Sequence, residues 1–192
     1  MVSDEALLRQ VHAGDEDAMA ALVRRYHARL HGFIFRYTQD LQLTQDLVQE
    51  TFLRVIRARD SEPQSFAPWL FRVALNLCRD QAKSAYQRRE QPAAMEEMDW
   101  HATDADSDPA VIAEQAEVRA AVAALPPGQR EVLLLHYFEG WTLQEVASAL
   151  GTPLGTVKSR LFSGLKRLKS SIGGPTARGG VNDGQTQPAT FG

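Results

Sequence analysis

The chain has 192 residues and a formal charge of -3, so its length fits one ordinary domain or two small ones, and its net charge singles out no class of partner. A single cysteine, Cys78, excludes an internal disulfide and gives no sign of an oxidising compartment, which makes the cytoplasm the expected location. No run approaches the roughly 20 apolar residues of a membrane-spanning helix, and the first residues, with Asp4 and Glu5, lack the basic and apolar regions of a secretion signal, so no membrane insertion is expected.

Ser3 is placed to cap a short helix through Val11, and Gly14 with Asp15 ends it and starts the next. In that second helix Met19, Leu22, Val23, Tyr26, Leu30, Phe33, Ile34 and Tyr37 recur three or four apart and predict a buried face. Arg24, Arg25, Arg29 and Arg36 fall largely between them and predict a wet one. After a polar break at 38–42, Leu43, Leu47, Val48, Phe52, Val55 and Ile56 predict the buried stripe of a third helix that ends near Arg59. Residues 60–65, with Pro63 and cap-forming serines, predict a loop. Phe66, Trp69, Leu70, Val73, Ala74 and Leu77 then mark a fourth helix running towards Arg89, and no stretch alternates as a strand does.

From Glu90 to Glu117 every formal charge is acidic, Pro92 and Pro109 interrupt, and apolar periodicity is absent until about Val111. This composition predicts a flexible acidic linker, residues 91–109, between an N-terminal domain at 1–90 and a C-terminal domain at 110–172. In the second domain Val111, Ile112, Val118, Val122 and Leu125 mark a helix stopped by Pro126 and Pro127, and residues 129–138 form the next, closed by Gly140. Residues 173–192 are rich in Gly, Pro, Thr, Asn and Gln, too poor in apolar surface to order themselves, and are expected to form a disordered tail.

Between these lies the clearest local pattern. Thr142 with Glu145 three residues on is a capping box, Leu143, Val146, Ala147 and Leu150 form an inner face, and Gly151 breaks the helix. A longer helix is expected from about Thr156, with Val157, Leu161, Leu165 and Leu168 buried. This is a helix-turn-helix, and its second helix carries Lys158, Arg160, Lys166, Arg167 and Lys169 with no acidic residue between Pro153 and Ile172. A basic face is often only a solvated one; here the motif joins it to the phosphate attraction that dominates DNA affinity, and its first turns suit a major groove.

Catalytic signals are missing. The segment 151–159 has the ingredients of a phosphate-binding loop, but no glycine directly precedes Lys158 and no strand precedes the loop. No nucleophile elbow and no metal-ligand pair of histidines at helical spacing is expected, and so neither enzyme activity nor a metal or cofactor.

The run Asp46-Leu-Val-Gln-Glu-Thr-Phe-Leu-Arg-Val55 resembles the most recognisable helix of bacterial sigma factors, and Trp69-Leu-Phe-Arg-Val-Ala-Leu-Asn76 with Asp80 resembles the next. Ala124-Leu-Pro-Pro-Gly-Gln-Arg-Glu-Val132 and Gly155-Thr-Val-Lys-Ser-Arg-Leu161 complete a likeness to the extracytoplasmic function group over about residues 10–172. The resemblance implies an all-α protein of two small helical domains that binds core RNA polymerase, at the beta-prime clamp and beta flap, and directs it to promoter DNA. It implies that Asp46, Gln49 and Glu50 meet the clamp; read alone they are a solvated helix face. It implies that the loop and helix over 59–89, with Arg72, Asn76, Lys83, Arg88 and Arg89, melt the minus-10 element and hold an extruded base, as a polar loop flanked by cations suits. For the minus-35 element it nominates Thr156, Lys158, Ser159, Arg160, Phe162 and Ser163. An anti-sigma factor is a further expected partner.

Several residues keep two readings at this level. Trp69 suits the core stripe or base stacking, Phe162 a thymine methyl or the helix surface, and Cys78 a small buried filler or a redox sensor. The acidic linker suits solubility or the threading of a nucleic-acid channel, and Trp100 within it suits an anchor to polymerase, to an inhibitor or to the chain's own domains. Ser163 and Leu165 stand where many relatives carry basic residues, Thr44-Gln45 replaces the usual Ala-Glu, and 81–87 is less basic than expected, so promoter preference is not transferable. From the C-terminal half alone a conventional DNA-binding regulator remains the rival.

Overall fold

The computed structural model describes residues 2–88 and 109–172; Arg89, the acidic segment with Trp100 and residues 173–192 lie outside them. Caps set the first helices. Ser3 Oγ accepts from the Ala6 N–H at 3.2 Å and opens α1 (Asp4–His12), with Asp4 and Glu5 in its first turn and Arg9 and His12 in its last, each sign where the helix dipole favours it. Asp15 and Asp40 cap α2 (Glu16–Thr38) and α3 (Leu41–Arg57) in the same way. The break between α2 and α3 is tighter than the polar run predicts, because Gln39 adopts a left-handed φ of 58° and Asp40 restarts the helix at once.

Leu22, Leu30, Phe33 and Ile34 of α2 are fully buried and form the axis around which α1, α3 and α4 (Phe66–Arg88) pack. Phe33 meets Phe71 edge-on at 5.2 Å, and Tyr26 meets Phe66 at 5.2 Å. Thr44 and Thr51 are buried too, and each satisfies its hydroxyl by donating 2.6 Å to the carbonyl one turn back. Periodicity places Ile56 on this core, but it is 39% exposed. Cys78 is buried, and desolvation pushes its thiol up to about 12, which favours the filler reading over the redox one.

α1 grips both ends of the loop between α3 and α4. His12 Nε2 donates to the Val55 carbonyl at 3.0 Å, and Glu5 Oε1 accepts from the Phe66 N–H at 3.0 Å, so one side chain serves an end carbonyl of α3 and the other a first-turn N–H of α4. The Phe66 N–H is the main cause that holds the Glu5 carboxyl below its ordinary range. That contribution is complete at neutral pH and lost as pH falls through the carboxylate range. Glu5→Ala is expected to speed hydrogen exchange at Phe66 and its preceding loop roughly tenfold, and unchanged exchange there would show that α4 starts without this cap.

The second group comprises α5 (Pro109–Ala123), α6 (Pro127–Leu133), α7 (Leu143–Leu150) and α8 (Leu154–Ile172). Residues predicted as one α-helix over 129–138 divide, since Leu134–Phe138 is π-helical and closes with Glu139 N–H to the Leu134 carbonyl at 3.2 Å. The capping box of α7 is present on both sides, and Gly151 closes the helix at a left-handed φ of 58°. α8 starts at Leu154, earlier than expected, and its buried positions are Val157 and Gly164, while Leu165, predicted buried, is 38% exposed. The cause is close approach: a Cβ on Gly164 would lie 3.0 Å from Leu133 Cδ1, so α6 seats against the glycine and turns Leu165 outward. The two helix groups share one buried cluster, joined where Phe71 of α4 meets Trp141 edge-on at 5.5 Å.

Candidate nucleic-acid interface

Three surfaces carry the residues nominated above. On α3, Asp46 and Gln49 are exposed and Glu50 half-buried, at the i, i+3, i+4 spacing of one helix face. Glu50 is engaged within its own helix, accepting from Arg54 Nε at 3.1 Å and lying 4.0 Å from Arg57. Beside this face a groove between α2 and α3 is lined by Val48, Phe52, Leu53, Ile56, His27 and His31, which accounts for the exposure of Ile56. Contrary to the expectation of no such pair, His27 and His31 are two histidines at the i, i+4 spacing of one helix face. Their rings stack 6.2 Å apart, and burial, then the neighbouring His27, lowers the His31 pKa. Among the described residues no third histidine, cysteine or carboxylate joins them in a group able to hold a metal.

On α4, Arg72, Asn76 and Lys83 are exposed along one stripe; the side chain of Arg88, like all of Arg89, lies outside the described residues. Residues 61–65, Pro68, Trp69 and Arg72 line an open cavity of about 520 Å³, so the loop and the aromatic ring do meet the first cation of the stripe. Trp69 is half-buried and takes part in both surroundings open to it from sequence: it packs on Phe66 at 5.9 Å and faces the cavity. The opposite wall is unforeseen, being Glu145, Ser148 and Ala149 of α7.

Sequence reasoning missed Arg79 and Glu131. Arg79 Nε and Nη2 donate to Glu131 Oε1 and Oε2 at 2.7 and 2.5 Å, a bidentate fork, with Tyr37 Oη donating at 3.5 Å. Glu131 is 2% exposed, in a run with Val132, Leu133, Leu134 and Leu135, and a carboxylate on an otherwise apolar stretch is the signal that it needs a cationic partner. Burial and the Glu131 charge push the Tyr37 hydroxyl up to about 12. Arg130 donates to the Tyr37 and Leu125 carbonyls at 3.0 Å. Arg29 and Arg36, predicted on a wet face, also cross between the helix groups: Arg29 pairs with Glu139 at 3.0 Å, and Arg36 lies 4.4 Å above the Phe138 ring. Burial raises the Glu139 pKa against the pull of Arg29.

On α8, Lys158, Ser159, Lys166, Arg167 and Lys169 are exposed, Thr156 and Ser163 half-buried, and Phe162 stands 72% exposed, which excludes a core role for it. Ser159 donates to the Thr156 carbonyl at 3.0 Å. Arg160 is half-buried and lies against α6, where a Cβ on Gly128 would stand 3.1 Å from its Cζ. Arg160 therefore stands apart from the open cationic row.

The family described as Sigma-70 region 2 matches residues 22–89, and that described as Sigma-70, region 4 matches residues 115–168. The RNA polymerase sigma factor CarQ of Myxococcus xanthus is 34% identical, over 83% of this chain and 92% of that protein. The ECF RNA polymerase sigma factor SigK of Mycobacterium sp. (strain KMS) is 31% identical over 88% and 90%. Among solved structures, CnrH in complex with the cytosolic domain of CnrY aligns with a TM-score of 0.68 and 25% identity, over 88% of this chain and 97% of that one. The sigma factor RpoE in complex with the anti-sigma factor NepR from Bartonella quintana shares the fold, with a TM-score of 0.68 and 21% identity over 83% and 98%.

Proposed function

The chain belongs to the extracytoplasmic function group of RNA polymerase sigma factors, and on that premise we propose that it binds core RNA polymerase in the cytoplasm and directs it to its own set of promoters. The polymerase supplies the chemistry, and this chain supplies recognition and strand separation without a catalytic residue of its own. Residues 1–90 act as the domain that engages polymerase and the minus-10 element, residues 110–172 as the domain that reads the minus-35 element, and residues 91–109 as the linker between them.

The observation that carries this reading is the cavity formed by residues 61–65, Trp69 and Arg72 beside exposed Asn76 and Lys83, on the same chain as a helix-turn-helix whose second helix is basic. An unstacked base enters such a polar pocket with an aromatic wall, while Arg72, Lys83, Arg88 and Arg89 attract the phosphates of the displaced strand. Asp46, Gln49 and Glu50 face the beta-prime clamp, and the C-terminal domain docks at the beta flap. Lys158 and Ser159 reach bases or phosphates of the minus-35 duplex with Thr156 and Ser163, Phe162 adds apolar contact, and Arg160 joins after turning away from Gly128. An anti-sigma factor restrains the protein, a reading supported by the solved complex of RpoE, which shares this fold, with the anti-sigma factor NepR.

Added to core polymerase that lacks any sigma factor, the chain is expected to produce transcripts from defined start sites. Replacing Asp46, Gln49 and Glu50 together by arginine is expected to weaken core binding at least about tenfold, because reversed charge at an interface costs more than lost contact. A chain that grips a specific duplex by itself and never binds core polymerase is instead a conventional DNA-binding regulator.

A further inference from the structure

The cations of α4 are not all free. Arg72, Asn76, Arg79 and Lys83 follow one another at i, i+4, i+7 and i+11, so they share a single helix face. Three of them are exposed, whereas Arg79, in the middle of the row, is held by Glu131 from the other helix group. A guanidinium fork that fits a carboxylate with two parallel N–H bonds fits a phosphate with the same geometry. At the upstream end of the same row, Glu145, Ser148 and Ala149 of α7 close one wall of the cavity that Trp69 and Arg72 open. A carboxylate thus sits on the central cation and a helix stands over the cavity, both from the half of the chain that reads a different DNA element.

We propose that Arg79 is a further residue that grips the promoter-strand phosphates, and that Glu131 occupies it in the free chain as an internal stand-in for phosphate until the two halves part. The proposal rests on the sigma-factor reading for the identity of the ligand, the phosphodiester backbone beside the minus-10 element. Opening exchanges one anion for another on the half-buried Arg79 fork and returns the buried Glu131 carboxylate to water. The pair Arg29–Glu139, the Phe71–Trp141 ring contact and Arg36 over Phe138 hold the same closed arrangement and are broken with it.

The test uses the full chain, a donor and acceptor dye on α3 and α8, and a labelled single strand carrying a minus-10 element identified from the chain's own start sites or, failing those, a mixed-sequence strand. Glu131→Gln keeps the side-chain volume and removes the charge. It is expected to lower energy transfer in the free chain and to tighten strand binding roughly tenfold, the gain of one charge-assisted contact. Arg79→Ala with Glu131→Gln is expected to open equally but to lose that gain, and its binding should depend on log salt with a slope smaller by about 1. Should Glu131→Gln fail to fold, Glu139→Gln opens the halves from the other contact and leaves the Arg79 fork to be compared with and without Arg79→Ala. Strand binding that does not change when the halves open, or that ignores the loss of Arg79 in the opened chain, overturns the proposal. These readouts need no polymerase, so a chain that never supports transcription removes the sigma-factor reading while the masking of Arg79 is still decided.

Discussion

Phe71→Ala is expected to destabilise the chain by about 3–5 kcal/mol, because a buried ring leaves both lost transfer energy and a residual cavity. Phe71 is 1% exposed and is the meeting point of the two helix groups. Its ring meets Phe33 at 5.2 Å on one side and Trp141 at 5.5 Å on the other, with the Arg29 guanidinium 5.6 Å from its centroid. No neighbour collapses readily into the space, since Phe33 is fully buried in its own packing and Trp141 is anchored in the loop after the π-helical turn. The loss should therefore appear in both groups at once. Denaturant unfolding followed by far-ultraviolet circular dichroism measures the whole, and tryptophan fluorescence follows the loosened contact. Pairing Phe71→Ala with Trp141→Ala should show coupling of about 1 kcal/mol beyond additivity. A loss below about 1 kcal/mol would mean that the groups are packed independently of this ring.

Replacing Lys158, Lys166 and Arg167 together by alanine is expected to lower affinity for a minus-35 duplex roughly a hundredfold near physiological salt and to reduce the log–log salt slope by about 3. The three side chains are exposed on α8, so the fold should hold. The effect arises from counterion release: each cation that neutralises a phosphate frees condensed ions, and the slope counts such contacts. Phe162→Ala provides the contrast, since its exposed ring carries no charge and its loss should alter base preference with the slope unchanged. Fluorescence anisotropy of a labelled duplex across a salt series, with the chain bound to core polymerase, separates the two. An unchanged slope in the triple variant would make the basic face of α8 a solvated surface only.

The nominated residues divide by what sequence makes visible. Lys158, Ser159, Arg72, Asn76 and Lys83 are where helical periodicity places them, exposed and on single faces, because a residue's side of a helix depends on its immediate neighbours. Arg160 follows the same periodicity yet folds against α6, since Gly128 offers its guanidinium a surface without a side chain. Ile56 and Leu165 fail for a related reason. Whether an apolar residue at the margin of a stripe is covered depends on how closely the neighbouring helix approaches, and Gly164 and the groove by His27 set that distance.

By itself the sequence determines most of the described helices and several of their ends: Ser3 and Asp15 as caps, the Thr142–Glu145 box, the helix-breaking Gly151 and the basic side of α8. These are contests between groups three or four residues apart, and the winning side chains are adjacent in the chain. Only the tertiary structure decides that Arg79 meets Glu131 across 52 residues and Arg29 meets Glu139 across 110, and that α7 walls the cavity beside Trp69. Sequence offers each of those charges several partners and solvent besides. The choice is made when close packing of the two helix groups strips water from the carboxylates and leaves cations within reach of them.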